Sequence, residues 1–140
     1  MPAKGTAEWK GDLPSGSGTF NAGDSISGGY TFKSRFEDGP GSNPEQLIAA
    51  AHAACFSMAL SNEIAKAGGT PQALDVTADV TLGQKDGAPT ITEIKLTVRG
   101  NVEGLDAAGF DEAAQKAKAG CPVSKALTGV EITLDAALAG

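Results

Sequence analysis

The longest apolar stretch of the chain has helical spacing and predicts one central, buried helix. Between residues 45 and about 66 there is no Pro or Gly, Ala is abundant, and apolar residues fall on nearly all sides of a helix. Asn43 can cap this helix, Pro44 suits its first position, and the glycines at 68–69 mark its end. We therefore predict a central helix over 43–67.

Alternating segments on both sides of this helix predict β-strands. Ahead of it, Gly and Ser separate up to three short antiparallel strands, at residues 6–10, 18–20 and 30–36. Beyond it, two runs alternate apolar with polar residues, as strands with one wet face do, at 74–82 and 90–98. We expect the turn-forming residues 83 to 89 to separate these two strands.

The C-terminal part continues with helical spacing over 106–118, a short helix over 122–127 and a last strand over 130–138. The order ββ(β)αββααβ indicates an α+β fold rather than a doubly wound one. We expect a single domain over 1–140, made of three parts: N-terminal strands at 1–40, the central helix at 43–67, and a ββααβ part at 73–140.

Length and charge narrow the class of protein. A chain of 140 residues with 41% hydrophobic content is enough for one packed core. The net charge of -6 and the scattered lysines oppose binding to nucleic acid or to an anionic membrane. No apolar run approaches the roughly 20 residues of a membrane span, and the N-terminus lacks the apolar core of a signal peptide. A soluble cytoplasmic protein is the default expectation.

The two cysteines lie in different predicted environments. In a reducing cytosol, a pair 66 residues apart is seldom a structural disulfide, so catalytic, redox-sensing and merely buried thiols all remain open. Cys121 lies at a helix start, where unpaired N–H groups favour a thiolate. Cys55 lies inside the apolar helix, and a small buried hydrophobic residue is the commoner role for such a cysteine. Thiol chemistry alone favours Cys121, and Cys55 needs a cation from elsewhere.

Three further residues are candidates for that chemistry. Arg35 can stabilise a thiolate and bind a peroxide oxygen, although a solvated surface arginine is commoner. Glu45 can orient such an arginine, although a first-turn glutamate usually complements the helix dipole. His52 precedes Cys55 by three residues, which admits a Cys-His hydrolase or a metal site, but one His and two Cys are too few for a structural zinc site.

Two longer motifs make the sequence more specific. The segments GSNPEQLIAAAHAACFSMALS at 41–61 and QKAKAGCPVS at 115–124 strongly resemble the signature of the osmotically inducible protein C (OsmC) family. The likeness extends over essentially the whole chain, and residues 51–58 look like the OsmC branch proper rather than its sister branch of organic hydroperoxide resistance proteins. The resemblance implies an intertwined homodimer of α+β subunits, with antiparallel sheets wrapped around two long central helices.

The same resemblance implies an activity and roles for four residues. It implies thiol-dependent reduction of organic hydroperoxides, with Cys55 as the attacking cysteine, Cys121 as the resolving cysteine, and Arg35 and Glu45 as the pair that activates the attacking thiol. No heme, flavin or metal cofactor is expected, and an external dithiol, by family likeness a lipoyl protein, is expected to reopen the disulfide. The rival interpretations are a redox sensor without turnover and a small-ligand binding protein.

Helix geometry adds a constraint on Glu45. It lies ten residues before Cys55, which is about 15 Å along one straight helix, so the two cannot touch within a continuous helix. Either the Glu45 beside a given Cys55 comes from the other subunit, or the helix breaks between them. We expect the first, because it explains why the active site requires a dimer.

Overall fold

Three short strands of the N-terminal segment form an antiparallel sheet. The computed structural model describes residues 1–139. It pairs strands β1 (Gly5–Lys10), β2 (Ser17–Ala22) and β3 (Ile26–Thr31) in the order β1-β2-β3. Phe20 on β2 is buried, with its ring centroid 6.2 Å from that of Tyr30. Gly28 lies opposite Phe20, and a Cβ there would come within 2.8 Å of the ring, so the sheet needs glycine at this position.

The strand predicted over residues 30–36 is wrong beyond its second residue. The chain turns there into a short helix, α1 (Phe32–Phe36). The Thr31 side chain accepts from the Ser34 N–H and the Ser34 side chain accepts from the Thr31 N–H, which is a capping box. These local bonds take the place of the ladder bonds that would extend the strand. Arg35 consequently lies on a helix and not at the end of a strand.

The central helix is observed almost where it was predicted. It is α2 (Pro44–Lys66), and the side-chain oxygen of Asn43 accepts from the Gln46 N–H at 2.8 Å, as a capping residue does. At the other end, Gly68 adopts a positive φ of 92° and the Gly69 N–H donates to the Ile64 carbonyl at 2.9 Å. Glycine accepts this left-handed turn without steric cost, which confirms the predicted stop.

The helix begins in one compact unit of the chain and continues in a second. The first unit is Met1–Leu47, and the second runs from Ile48 onward. Within the second unit, α2 buries one face against the sheet and helix that follow it. Its fully buried hydrophobic residues come from α2 (Phe56, Leu60, Ile64), from the next sheet (Ile94, Leu96, Val98) and from a later helix (Phe110, Ala114). Each large side chain of this kind contributes about 1.5–3 kcal/mol when removed from water.

The two strands after α2 are longer than predicted and form one hairpin. They are β4 (Thr70–Lys85) and β5 (Ala88–Glu103), which pair antiparallel up to Lys85 and Ala88. The connection is only the dipeptide Asp86-Gly87, with φ values of 53° and 78°. An Asp-Gly pair suits a tight hairpin turn with two positive φ angles. The prediction of a turn over residues 83–89 was therefore too long, because this dipeptide makes the turn alone.

The last elements place a parallel strand in the second sheet. Helices α3 (Ala107–Gly120) and α4 (Pro122–Ala126) connect β5 to β6 (Glu131–Leu138). Because this helical connection crosses over the sheet, β6 pairs parallel with β5 in a sheet of order β4-β5-β6. The sheet is thus mixed, which departs from the antiparallel sheets that the resemblance implied. The α+β class is confirmed.

One expectation about hydropathy has to be corrected. Over an 18-residue window α2 has a mean hydropathy of 1.3, so its length and composition are sufficient for a membrane span, contrary to the expectation that no segment approaches one. Core helices of globular proteins reach the same values. Phe56, Leu60 and Ile64 pack into a protein core, but only 22% of the window is buried within the chain, so the helix is less buried than predicted.

Candidate active site

The two cysteines meet where the middle of α2 lies beside the junction of α3 and α4. Cys121 stands at that junction: its N–H donates to the Ala117 carbonyl at 2.9 Å and its carbonyl accepts from the Lys125 N–H at 3.0 Å. Its Sγ lies 2.7 Å from that of Cys55, and both cysteines are free thiols. Cys121 is fully buried, whereas Cys55 is partly exposed. The fold therefore brings together the two residues that the sequence paired.

The two thiols have pKa values shifted in opposite directions. Burial raises the pKa of the Cys55 thiol, and the neighbouring Cys121 raises it further, against a smaller lowering by the backbone N–H of Val123. Burial also opposes ionisation of Cys121, yet the pKa of Cys121 is lowered by hydrogen bonding from Cys55, from the backbone N–H and hydroxyl of Ser124, and from the Val123 N–H. Within its own unit, then, Cys121 is the thiol that ionises first, as the helix-start argument predicted.

His52 does not act on Cys55 as a neighbouring base would. It is fully buried, and its Nε2 lies 2.7 Å from the Ser124 hydroxyl oxygen. Burial lowers the pKa of His52, which keeps the ring neutral at pH 7. Nδ1 has no hydrogen-bond partner, so the carboxylate that orients the base of a catalytic triad is missing. These contacts argue against the Cys-His hydrolase interpretation.

Arg35 and Glu45 form an ion pair within the first unit. The Nε of Arg35 donates to Oε1 of Glu45 at 2.9 Å, and the guanidinium carbon lies 5.3 Å from the centroid of the Phe36 ring. Only 6% of Glu45 is exposed, and its second oxygen, Oε2, is buried without a partner. The Arg35 side chain keeps 38% of its surface exposed. Glu45 thus holds Arg35 through a single hydrogen bond, and both groups keep capacity for further hydrogen bonds.

The predicted roles of these four residues are not equally constrained by the fold. The pairs Cys55–Cys121 and Arg35–Glu45 each form, but they belong to different units of the chain. The helix α2 is continuous over Pro44–Lys66, so the alternative in which it breaks between Glu45 and Cys55 is wrong. Supply of Glu45 from a second subunit stays a prediction.

Ser124 is the residue of the site that sequence reasoning missed. It lies three residues after Cys121, is 5% exposed, and contacts His52 through its hydroxyl. A signal was available: a serine in the first turn of the helix that follows a cysteine can present both its N–H and its hydroxyl to that sulfur. In the part of the chain that the structure describes, no group of three His, Cys, Asp or Glu side chains could hold a metal ion.

Comparison with known proteins places the chain in a described family. A family model for OsmC-like protein matches residues 37–135. The chain is 52% identical over 134 residues to the Escherichia coli (strain K12) protein named peroxiredoxin OsmC, covering 94% of this chain and 93% of that protein. It is 38% identical over 96 residues to the organic hydroperoxide resistance protein OhrA of Bacillus subtilis (strain 168), covering 68% and 67% of the two chains.

A solved structure has the same fold over nearly the full length. The organic hydroperoxide resistance protein OhrB of Bacillus subtilis superposes with a TM-score of 0.77 and 28% sequence identity. The match covers 97% of this chain and 98% of that chain. A second structure, of an OsmC-like protein from Mycoplasma pneumoniae, has a TM-score of 0.72 at 18% identity, which supports the fold alone.

Proposed function

Because the chain belongs to the OsmC-like protein family, we propose that it is a thiol-dependent peroxidase that reduces organic hydroperoxides to alcohols. The observation that carries the proposal is the approach of the Cys55 and Cys121 sulfurs to 2.7 Å. From that separation the two sulfurs need to approach by well under 1 Å to reach the length of a disulfide bond, about 2.05 Å. The names of the relatives, a peroxiredoxin and an organic hydroperoxide resistance protein, support both the reaction and the substrate class.

The reaction takes place in three steps. The Cys55 thiolate attacks the outer oxygen of the hydroperoxide, the O–O bond breaks, and the departing alkoxide takes a proton to become the alcohol. Cys55 is left as a sulfenic acid. Cys121 then attacks that sulfur, an S–S bond forms and water leaves. An external dithiol reopens the disulfide by thiol exchange, and a lipoyl protein in a reducing cytoplasm is the reductant we propose.

Access to peroxide supports Cys55 as the attacking thiol. Cys55 is partly exposed while Cys121 is fully buried, so a bulky peroxide reaches Cys55 first. The lowered pKa of Cys121 suits the second step, in which a ready thiolate shortens the lifetime of the sulfenic acid. The raised pKa of Cys55 means that its activation must come from an added positive charge.

Arg35 of a second subunit supplies that charge in the proposed enzyme. Arg35 is held by Glu45 through Nε, which leaves its terminal N–H groups for the Cys55 thiolate and the peroxide. An exposed apolar stripe on α2 supports a homodimer: Ala50, Ala54 and Met58 recur every fourth residue, and Met58 is 75% exposed. Two such stripes packed antiparallel would bury this surface.

The test is steady-state turnover with a dithiol. Reduced protein is mixed with a hundredfold excess of cumene hydroperoxide and dihydrolipoamide, and the peroxide consumed per chain is counted. We expect tens of equivalents for the natural chain and none above background for Cys55→Ser, with His52→Gln as a matched change on the same helix that retains turnover. Consumption of one equivalent by the natural chain would contradict the proposal.

A redox sensor is the second candidate, and the raised pKa of Cys55 favours it, because a slow thiol suits a sensor better than an enzyme. The same count separates the two functions. A sensor consumes about one equivalent of peroxide per chain and then stays oxidised, whereas the enzyme consumes peroxide until the dithiol is exhausted.

A further inference from the structure

His52 is a buried polar residue that the proposed reaction does not use. Its side chain is fully buried on α2, three residues before Cys55. One ring nitrogen contacts Ser124 at 2.7 Å, while the other is buried without a partner. A buried unpaired nitrogen costs stability, and an apolar residue at this position would avoid that cost. The contact with Ser124 is therefore the feature of His52 that needs an explanation.

The unpaired Nδ1 fixes the direction of this hydrogen bond. Burial keeps the His52 ring neutral, so one nitrogen carries a hydrogen and the other accepts. If Nδ1 carried the hydrogen, a buried N–H would lack an acceptor, which is rarer in proteins than an unfilled acceptor. The hydrogen therefore lies on Nε2, and Nε2 donates to the Ser124 oxygen. The hydroxyl hydrogen of Ser124 is then free to point at another acceptor.

The lowered pKa of Cys121 and the position of Ser124 one helical turn after it indicate the Cys121 sulfur as that acceptor. The Ser124 hydroxyl is one of the groups that stabilise the Cys121 thiolate, and Cys121 in turn lies 2.7 Å from Cys55. Two short contacts, from Nε2 of His52 to the Ser124 oxygen and from the Cys121 sulfur to that of Cys55, thus lie on either side of the first turn of α4, which carries both Cys121 and Ser124. All four residues belong to the unit that begins at Ile48.

We propose that His52 is a positioning residue for the resolving step, acting through Ser124, whose hydroxyl it orients toward the Cys121 sulfur. This inference rests on the proposed peroxidase function and adds two residues to it. In the step concerned, the Cys121 thiolate attacks the sulfur of the Cys55 sulfenic acid. The S–S bond forms as the S–O bond breaks, and the departing hydroxide combines with the proton that Cys121 gave up, which yields one water.

The first experiment measures the proton state of Cys121 without any peroxide. In a Cys55→Ser background Cys121 is the one thiol of the 140-residue sequence, and Cys55, the titratable group that shifts its pKa, is gone. The thiolate is followed by ultraviolet absorbance as the pH is raised. Ser124→Ala and His52→Leu should each raise the midpoint by about one pH unit, which means tenfold less thiolate below the midpoint.

Two further variants separate orientation from general damage to the core. His52→Gln keeps an amide N–H near the position of Nε2 and should restore most of the shift. Leu60→Ala removes a fully buried side chain from the same helix, so it should lower stability and leave the midpoint in place. An unchanged midpoint in both Ser124→Ala and His52→Leu, or an equal shift in Leu60→Ala, would overturn the proposal.

The second experiment uses chains that keep both cysteines. One equivalent of cumene hydroperoxide is added, and sulfenic acid and disulfide are quantified by mass spectrometry after rapid quenching. The ratio of the disulfide rate to the sulfenic acid rate should fall about tenfold in Ser124→Ala, in line with the shifted midpoint. Equal ratios in the variant and the natural chain would also overturn the proposal. If the natural chain forms no sulfenic acid, the proposed function fails while the titration still decides this inference.

Discussion

The cysteine pair and the arginine–glutamate pair differ in how completely their surroundings satisfy them. Cys55 and Cys121 contact each other, and Cys121 has further partners in its own unit that favour its thiolate. Arg35 and Glu45 share one hydrogen bond, but the buried Oε2 of Glu45 lacks a partner. On the proposed function, the first pair is placed to form a disulfide, while the second keeps a buried carboxylate oxygen that can accept a further hydrogen bond.

This difference separates the two half-reactions in physical terms. Disulfide formation needs two sulfurs in contact and one thiolate, and the unit from Ile48 onward contains both. Attack on the peroxide needs a Cys55 thiolate, which burial and Cys121 oppose. On the proposed function, the charge that reverses this direction comes from Arg35 of a second chain. The resolving half is therefore intrinsic to the fold, and the attacking half depends on assembly.

The largest effect on peroxide turnover is expected from removing Cys121, which carries the resolving half-reaction. In Cys121→Ser, Cys55 still attacks one peroxide, but its sulfenic acid has no neighbouring thiol to condense with. Consumption should stop within about two equivalents per chain, because the first makes the sulfenic acid and the second converts Cys55 to the irreversible sulfinic acid. Peroxide loss and the mass of the Cys55 peptide measure both outcomes.

If Cys121→Ser turned over as many equivalents of peroxide as the natural chain, Cys121 would have no part in the reaction, and the division into two half-reactions would be wrong. Thr128→Ser, an equally small change on a residue outside these contacts, serves as the control and should behave as the natural chain does.

The next largest effect concerns the attack on the peroxide, the half-reaction that we expect to depend on dimer formation. Glu45→Gln keeps the size of the side chain but removes the charge that holds Arg35, so the rate of Cys55 oxidation should fall. Hydrogen bonds to charged groups contribute about 1.5–3 kcal/mol, which corresponds to roughly a tenfold to hundredfold loss. Stopped-flow measurement of the first oxidation step gives the ratio.

A mixed dimer sharpens this prediction into a test of where Glu45 acts. When one chain carries Glu45→Gln and the other Cys55→Ser, cross-subunit supply leaves one intact site per dimer and about half of the natural activity. Supply within a subunit leaves both sites impaired. A mixed dimer with no more activity than its parents would therefore exclude Glu45 of the second chain.

Local patterns predicted most of the fold, and the errors have local causes. The central helix follows from its own caps and from the absence of Pro and Gly, so Pro44–Lys66 agrees with the prediction closely. The strand extended to residue 36 fails because the capping box at Thr31 and Ser34 stops it. The turn predicted over 83–89 is too long because Gly83 and Pro89 lie in the paired strands, and the dipeptide Asp86-Gly87, which is the stronger hairpin signal, makes the turn alone.

The sequence predicted which residues form the candidate site better than it predicted which of them contact each other. Family resemblance supplied Cys55, Cys121, Arg35 and Glu45, and the structure forms two pairs from them. The contact of His52 with Ser124 joins residues 72 positions apart. Such a contact depends on how α4 packs against α2, which no short sequence window contains.

The smallest effect concerns the free energy of unfolding of the unit from Ile48 onward, which contains both cysteines. Burial lowers the pKa of His52 in the folded chain, so the unfolded chain takes up a proton first as the pH falls. The stabilisation is complete above the unfolded pKa of about 6.5 and is lost as the pH falls from there through the lower pKa of the folded chain. Since His52 is the one histidine of the sequence, His52→Gln should remove this slope from the free energy of urea unfolding. The same slope in both chains would assign it to carboxylates and leave His52 outside the pH response of this unit.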